Sequence, residues 1–198
     1  MRAKKHSGPA ELPEGFLYED NFLSESEEGE LLGRIEMLQF EPYEFRGYKA
    51  RRRVASYGTN YGVLAPKGGA ESQPIPDFLF AIRDRAAGFA GVAADEIVQA
   101  MITEYSPGTP IGWHRDRPQF GTIVGISLAS ACRMRLKPYQ GEGRIISKIL
   151  EPRSIYVMQG VARNEFLHSI PAVEKLRYSI TFRTLVENRD RKTNRRVA

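Results

Sequence analysis

The stretch IGWHRDRPQFG, residues 111–121, places a histidine two positions before an aspartate, and both side chains are common metal ligands. On an extended segment His114 and Asp116 project to the same face, because side chains alternate along a strand. A His-x-Asp pair is also frequent as an exposed or hydrogen-bonded pair. A metal site therefore needs at least one further ligand from elsewhere in the chain.

Histidine is scarce in this chain, and the two that remain are His6 and His168. His6 lies in a basic N-terminal segment without an apolar pattern, whereas His168 ends a β-like run in NEFLHSIP. The economical set is therefore His114, Asp116 and His168. Two imidazoles and one carboxylate form the facial triad of non-haem Fe(II) oxygenases, although a zinc hydrolase can use the same ligand types.

A second unusual pattern is LRYSITFRTL, residues 176–185, which has the alternation of a strand. One face carries the apolar residues, and the other carries Arg177, Ser179, Thr181 and Arg183. Arginine binds carboxylates through parallel hydrogen bonds, so a dicarboxylate lying over the two hydroxyls could satisfy both guanidinium groups. The alternative is a pair of exposed arginines on an edge strand.

Hydrophobic periodicity indicates which elements carry these residues. SESEEGELLGRIEMLQF opens with a capping box at Ser24 and Glu27 and predicts an amphipathic helix of about four turns. PIPDFLFAIRDRAAGFAG predicts a second helix that ends at Gly91. Short β-like runs separated by turn residues follow. Helices before strands favour an α+β fold, with the helices on one face of a β-sandwich, barrel or jelly roll.

Charge is distributed in blocks, although the net charge is only +5. Residues 11–44 hold eleven acidic residues and one basic residue, whereas RGYKARRR, residues 46–53, holds five basic residues and no acid. Tyr57 and Tyr61 follow the basic run. Basic groups beside aromatic rings are typical of nucleic-acid surfaces, but solvated charge and core tyrosines explain the same composition.

The composition indicates in which compartment the protein works and whether it associates with a membrane. The longest uncharged apolar stretch is too short to cross a bilayer, and the basic start lacks the apolar segment of a secretory signal. Cys132 is the single cysteine, which excludes an internal disulfide and favours a reducing compartment. We expect a cytoplasmic protein with no membrane association, and the sequence indicates no obligate protein partner.

The order of these parts resembles the AlkB family of Fe(II)- and 2-oxoglutarate-dependent dioxygenases. The stretches that carry the resemblance are TEYSPGTPIGWHRD, FGTIVGISLAS, FLHSIP and RYSITFRT, and it extends over about residues 13–185. The family fold is a double-stranded β-helix, or jelly roll, preceded by helices. The resemblance implies a flexible basic arm at 1–15, one oxygenase domain at 16–187 with a lid at 45–62, and a basic tail at 188–198.

The resemblance also implies residue roles. His114, Asp116 and His168 would hold Fe(II), Arg177 would pair with the distal carboxylate of 2-oxoglutarate, and Arg183 would lie near its metal-chelating end. Tyr105 matches a tyrosine that hydrogen-bonds the cosubstrate, and Ser179 is a further candidate contact. Thr103 stands where many relatives have asparagine, and Pro118 stands where some repair enzymes have an acidic residue. The candidate substrate contacts in the lid are Arg51, Arg52, Arg53, Tyr57 and Tyr61.

The reaction implied is oxidation of a C–H bond with dioxygen, in which 2-oxoglutarate becomes succinate and carbon dioxide. On an N-methyl group the product releases formaldehyde, so the leading interpretation is demethylation of alkylated bases in DNA or RNA. The same chemistry on a protein or a small molecule is the nearest alternative. A non-catalytic jelly-roll binding module is the third.

Overall fold

The computed structural model describes residues 11–45, 48–59 and 73–186, and within them the chain forms three helices and eleven strands. The helices are α1 (Glu25–Ile35), α2 (Phe80–Ala90) and the short α3 (Gly160–Asn164). The strands are β1 (Phe16–Glu19), β2 (Glu41–Phe45), β3 (Tyr48–Gly58), β4 (Ile97–Tyr105), β5 (Ile111–His114), β6 (Phe120–Leu128), β7 (Cys132–Pro138), β8 (Ile146–Leu150), β9 (Ile155–Met158), β10 (Phe166–Ile170) and β11 (Arg177–Leu185).

The strands form two antiparallel sheets, as the jelly-roll prediction requires. The major sheet has seven strands in the order β1-β9-β6-β11-β4-β3-β2, and the minor sheet has four in the order β5-β10-β7-β8. Neighbours in sequence are often not neighbours in the sheet, so the pairing brings distant segments together. β11, for example, pairs with both β4 and β6.

Two apolar layers hold this arrangement together. One lies between the helices and the outer face of the major sheet, where Ile35 of α1 and Ala86 of α2 share a cluster with Ile102 and Ile180. The other lies between the sheets and includes Met134, Leu136 and Tyr156. Burial of apolar surface on both faces of the major sheet favours this layered packing over an open sheet. The α+β prediction, with helices on one face, is confirmed.

The two predicted helices begin and end largely where their capping residues indicate. The hydroxyl of Ser24 accepts a hydrogen bond from the backbone of Glu27, whose carboxylate accepts one from the backbone of Ser24. Gly91 ends α2 with a φ of 70°, a conformation that glycine adopts without a Cβ penalty. α1 is three turns rather than four: it ends at Ile35, and Leu38 packs against the core from beyond the helix.

The last residues of the predicted basic arm contact the domain. The carbonyls of Glu14 and Gly15 accept hydrogen bonds from Ala162 and Gln159, and Leu12 packs against the inter-sheet core. These contacts fix residues 12–15 to the domain. Residues 1–10 and the basic tail at 188–198 lie outside the described residues.

None of the helices in the described ranges has the length and apolar character that crossing a bilayer requires.

Candidate iron and 2-oxoglutarate site

A cavity of about 310 Å³ opens between the two sheets. Strands β4, β6 and β11 of the major sheet form one wall, and β5 and β10 of the minor sheet form the other. All three predicted metal ligands line it, together with both arginines of β11. The strand pairing therefore gathers side chains that are far apart in sequence, such as Gln99 and Arg183, which are separated by 84 positions.

His114 and His168 face each other across the minor sheet. They are paired Cα partners on β5 and β10, and their ring centroids are 4.2 Å apart. Nδ1 of His114 lies 2.9 Å from the carbonyl oxygen of Gly112. Because a carbonyl can only accept, Nδ1 must carry the proton, which leaves Nε2 as the free lone pair. This is the orientation that outer hydrogen bonds impose on metal-binding histidines.

Asp116 follows the end of β5 and lines the cavity. Burial by itself raises the pKa of Asp116, but its charged neighbours, above all the guanidinium of Arg183, outweigh burial and hold the pKa well below its usual range, which favours the ionised carboxylate. Burial has the opposite effect on His168, lowering its pKa to about 3. A charged carboxylate and a neutral imidazole are the forms that bind a metal ion.

The donor set fits Fe(II), but the ligands are not already gathered around one point. In the described part of the chain no three His, Cys, Asp or Glu side chains form a ready metal cluster. Oδ1 of Asp116 instead lies 3.3 Å from a nitrogen of Arg183. A carboxylate has a second oxygen, which can bind the metal while the first accepts from arginine. The three side chains share one cavity, as the sequence predicted.

Arg177 is the residue best suited to the distal carboxylate of 2-oxoglutarate. Its side chain is buried, its Nε donates to the hydroxyl of Ser127 at 3.1 Å, and its guanidinium carbon lies 4.9 Å from the centre of the Tyr105 ring. Its Nη1 is buried without an acceptor. An unsatisfied buried cation is costly, so a bound carboxylate would gain from filling this position.

Arg183 has a different set of partners at the other end of the strand. One terminal nitrogen donates to the side chain of Gln99 at 3.0 Å, and the other donates to Asp116. Arg183 thus lies beside the metal-ligand carboxylate, near the end of the cosubstrate for which it was proposed. The strand is central and the arginine is buried, which excludes the alternative of exposed arginines on an edge strand.

The other three candidate cosubstrate residues lie between these arginines. Thr103 pairs with Ser179, and Tyr105 pairs with Arg177, across β4 and β11. All three line the cavity and are buried. Their alternation along two neighbouring strands places them on one wall, as the period of two in β11 predicted.

The five candidate substrate contacts differ in where they lie relative to the cavity. Arg52 lines the cavity, with its guanidinium carbon 4.0 Å from the centre of the Tyr43 ring. Arg51 is exposed and does not line the cavity. Tyr61 lies outside the described residues. The remaining two, Arg53 and Tyr57, face away from the cavity.

The structure places Arg53 and Tyr57 on the face of β3 away from the cavity, and this corrects the prediction that they contact the substrate there. They follow the outer alternation of β3, whose inner face carries Ala50 and Arg52. Arg53 donates two hydrogen bonds to Glu104, at 2.9 and 2.7 Å. Tyr57 is buried in the core between the major sheet and the helices, which is the core alternative that the composition had left open.

Sequence reasoning missed three cavity-side features. The side chain of Gln99 accepts a hydrogen bond from Arg183, and the ring of Tyr156 packs directly over Gly125. Arg163 donates to the backbone that follows His114. A Cβ at Gly125 would lie 2.2 Å from the Tyr156 ring, so only glycine leaves room for it. Strand alternation could have placed Gln99 beside Thr103 and Tyr105, but no local signal indicates the other two.

Comparison with known proteins identifies the class to which this fold and site belong. The profile of the 2OG-Fe(II) oxygenase superfamily matches residues 15–183, and the chain belongs to this family. Membership of this family implies Fe(II) as the cofactor and 2-oxoglutarate and dioxygen as the cosubstrates. Within the family the chain is similar over part of its length to AlkB homologues, which agrees with the resemblance of its motifs.

The individual relatives are similar over part of their length. The chain is 36% identical over 90 residues to the mitochondrial alpha-ketoglutarate-dependent dioxygenase alkB homolog 7 of Bos taurus, a match that covers 44% of this chain and 40% of the relative. It is 30% identical over 112 residues to the uncharacterized protein L905 of Acanthamoeba polyphaga mimivirus, covering 48% and 52%. The chain thus spans about half, or less, of the curated relatives it matches.

Solved structures share the fold at low identity. OsALKBH1 has a TM-score of 0.68 at 17% identity, and the similarity covers 88% of this chain and all of the other. A Trichoplax adhaerens prolyl hydroxylase, in complex with a peptide fragment of the hypoxia inducible factor oxygen degradation domain, has a TM-score of 0.64 at 14% identity, covering 91% and 87%. These similarities establish the jelly-roll fold.

Proposed function

We propose that this protein is an Fe(II)- and 2-oxoglutarate-dependent dioxygenase that removes methyl groups from alkylated bases in nucleic acid. Fe(II), when bound, supplies the activation of dioxygen that the oxidation of a C–H bond needs. In this chain His114, Asp116 and His168 would hold the metal, and Arg177 would orient 2-oxoglutarate. The buried wall of β4 and β11 would exclude water from the reacting groups.

The observation that carries the choice of substrate is the charge of the cavity lining. Among the described residues that line it, Asp116 is the one carboxylate, against five arginines. Arg177 and Arg183 are buried, and the remaining three reach solvent and form what we call the mouth arginines: Arg52, Arg115 and Arg117. A surplus of cations at the entrance favours a substrate with phosphates.

Aromatic rings accompany two of the mouth arginines. Arg52 lies over Tyr43, and the guanidinium carbon of Arg115 is 3.7 Å from the centre of the Tyr139 ring. Arginine held flat against an aromatic ring has little freedom left to lose when it binds a phosphate, and ring faces also stack on bases. Demethylation would require the base to leave its stack and enter the cavity.

A substrate screen tests the proposal directly. The protein is loaded with Fe(II) and 2-oxoglutarate and given single-stranded DNA or RNA that contains 1-methyladenine or 3-methylcytosine. We expect formaldehyde and succinate in equal amounts, and neither above background with the unmethylated strand or with the His114→Ala variant. If the protein oxidises peptides but forms no product with any methylated strand, its substrate is a protein and not a nucleic acid.

The Arg52→Gln variant tests whether the entrance binds the substrate. Loss of one phosphate contact of about 1.4 kcal/mol should raise KM for the oligonucleotide about tenfold, with a smaller effect on kcat. Arg51→Gln is the matched control, because it removes the same charge from the neighbouring position outside the cavity. Equal effects of the two variants would contradict a specific contact at Arg52.

A further inference from the structure

Arg163 is a buried arginine that takes no part in the cavity lining. It lies on α3, its side chain is 7% exposed, and it is absent from the residues that face the cavity. Its Nη2 contacts three backbone carbonyl oxygens, those of Asp116 at 3.3 Å, Arg117 at 2.7 Å and Phe120 at 2.9 Å. Its Nε is buried without a partner, so the carbonyl contacts of Nη2 supply the compensation that a buried charge needs for its lost solvation.

Two of the three carbonyls, those of Asp116 and Arg117, belong to the connection between β5 and β6, which starts directly after His114, and the third belongs to Phe120, the first residue of β6. This connection contains Asp116 and has no regular secondary structure of its own between β5 and Phe120, apart from a turn in which the amide of Phe120 donates to Arg117. Buried carbonyls outside helices and sheets need other donors. Arg163 supplies that donor to the backbone of the aspartate itself and to the turn that follows it.

A second hydrogen bond joins the same two segments, with the donor on the connection and the acceptor at the end of α3. Nη1 of Arg115 donates to the carbonyl oxygen of Asn164 at 2.7 Å, so the connection and α3 bind each other reciprocally. α3 is itself attached to the start of the domain, because Ala162 donates to the carbonyl of Glu14 at 2.8 Å. β10, which carries His168, begins two residues after α3 ends.

These contacts join the two remote segments that supply the metal ligands. His114 and His168 are already held together by the pairing of β5 with β10. Asp116 lies beyond the end of β5 and has no strand partner, so strand pairing does not fix its backbone. Arg163, five positions before His168, binds that backbone.

We propose that Arg163 is a positioning residue of the metal centre: it holds the backbone of Asp116 and Arg117 at a fixed place relative to His168. The proposal rests on the assignment of the three metal ligands and is independent of the substrate. Residues behind a metal ligand commonly change metal affinity 10- to 100-fold when replaced, because the ligand loses its orientation. We expect an effect of about that size from a variant without donors.

The test measures metal affinity in the absence of substrate and turnover. Apo protein is titrated with Mn(II), an ion of the same charge that accepts the same ligands, and binding is followed by the EPR signal of the free ion. We expect Arg163→Met to raise the Kd for Mn(II) about 10- to 100-fold. Hydrogen exchange of the amides in residues 115–119 should accelerate in the same variant, since the segment loses its anchor.

The control separates positioning from general stability. Arg153 is a partly buried arginine, 27% exposed, that pairs with Glu28 of α1 and does not line the cavity. Arg153→Met should lower Tm while leaving the Kd for Mn(II) within twofold of the wild-type value. An Arg163→Met protein with wild-type metal affinity, or an Arg153→Met protein with the same loss, would overturn the proposal.

A conservative variant keeps the proposal testable if Arg163→Met does not fold. Arg163→Lys retains the charge but has a shorter reach and a single donor group, so it can satisfy only part of the three-carbonyl arrangement. We expect a Kd for Mn(II) at least threefold above wild type, with Tm close to the wild-type value. An unchanged Kd in Arg163→Lys, alongside an unfolded Arg163→Met, would assign Arg163 to stability alone. Failure of the oligonucleotide screen would leave these results unaffected.

Discussion

Arg177 and Arg183 are the same residue type on the same face of one strand, yet their partners give them different tasks. Both terminal nitrogens of Arg183 have acceptors, on Gln99 and Asp116, and its unpartnered nitrogen is Nε, whereas the unpartnered nitrogen of Arg177 is the terminal Nη1. The strand pattern by itself therefore does not distinguish the two arginines. The difference comes from what the neighbouring strands offer at each end of β11.

The spare donor of Arg177 leads to a prediction about cosubstrate affinity. Charge-assisted hydrogen bonds contribute about 1.5–3 kcal/mol, so Arg177→Gln should raise the Kd for 2-oxoglutarate by about 10- to 150-fold. Isothermal titration with the Mn(II)-loaded protein measures it. Arg133→Gln, an exposed arginine on β7, is the control and should leave that Kd unchanged. Equal affinity in Arg177→Gln and wild type would exclude the proposed carboxylate contact.

Cys132 gives a prediction for the pH dependence of thiol chemistry. Burial raises the pKa of the Cys132 thiol, partly opposed by the charge of Arg177. A raised pKa leaves less thiolate at pH 8, and the thiolate is the reactive form. Native protein should react with a disulfide reagent more than about tenfold more slowly than unfolded protein, and faster as pH rises. Equal rates in the two states would show that Cys132 is accessible.

At the scale of elements, side-chain alternation along β11 gives the strand one face toward the helices and one face toward the cavity. Tyr178, Ile180 and Phe182 pack toward the helices, and the polar residues between them face the cavity. Removal of helical packing would therefore disturb the wall that carries the cosubstrate residues. α1 contributes through Leu31 and Ile35, and its N-terminus is held by the capping box.

The capping box predicts a measurable contribution of Ser24 to stability. Ser24→Ala removes the acceptor for the backbone of Glu27 and should lower the free energy of unfolding by about 1 kcal/mol. Urea unfolding followed by circular dichroism measures this change. Ser24→Asp is the matched control, since aspartate caps a helix about as well. A loss in Ser24→Asp equal to that in Ser24→Ala would mean that the cap itself contributes little.

At the scale of the whole molecule, positive charge is concentrated at the cavity entrance. The mouth arginines surround the entrance, whereas the glutamates at the start of α1 are paired with arginines, Glu27 with Arg85 and both Glu25 and Glu28 with Arg153. A polyanion would accordingly be attracted to the entrance. Such a field orients an approaching substrate and makes its binding depend on salt.

Salt titration tests this orientation. The logarithm of the affinity for a single-stranded oligonucleotide should fall linearly with the logarithm of salt concentration. Arg52→Gln should make that slope shallower by about one, because one phosphate contact is lost. Arg34→Gln, which removes an exposed charge from α1, should leave the slope unchanged. An affinity that is independent of salt would argue against a phosphate-bearing substrate.

The sequence by itself determined much of this protein, because the informative patterns are local or depend on rare residue types. The capping box at Ser24, the stop at Gly91 and the two faces of β11 are set by periods of 3.6 and 2, and the structure agrees with them. The candidate metal set followed from scarcity, since His168 was the remaining histidine outside the basic start, and the structure brings its three members to one cavity.

Tertiary structure decided the features that depend on which distant side chains meet. Alternation along β3 puts Arg52 and Arg53 on opposite faces, but only the folded sheets show that the face of Arg52 lines the cavity and that the face of Arg53 meets Glu104. Arg163 had no signal in its own segment, because its partners are carbonyls more than forty positions away. A backbone acceptor carries no residue type, so its demand for a donor becomes visible only when the folded chain buries it.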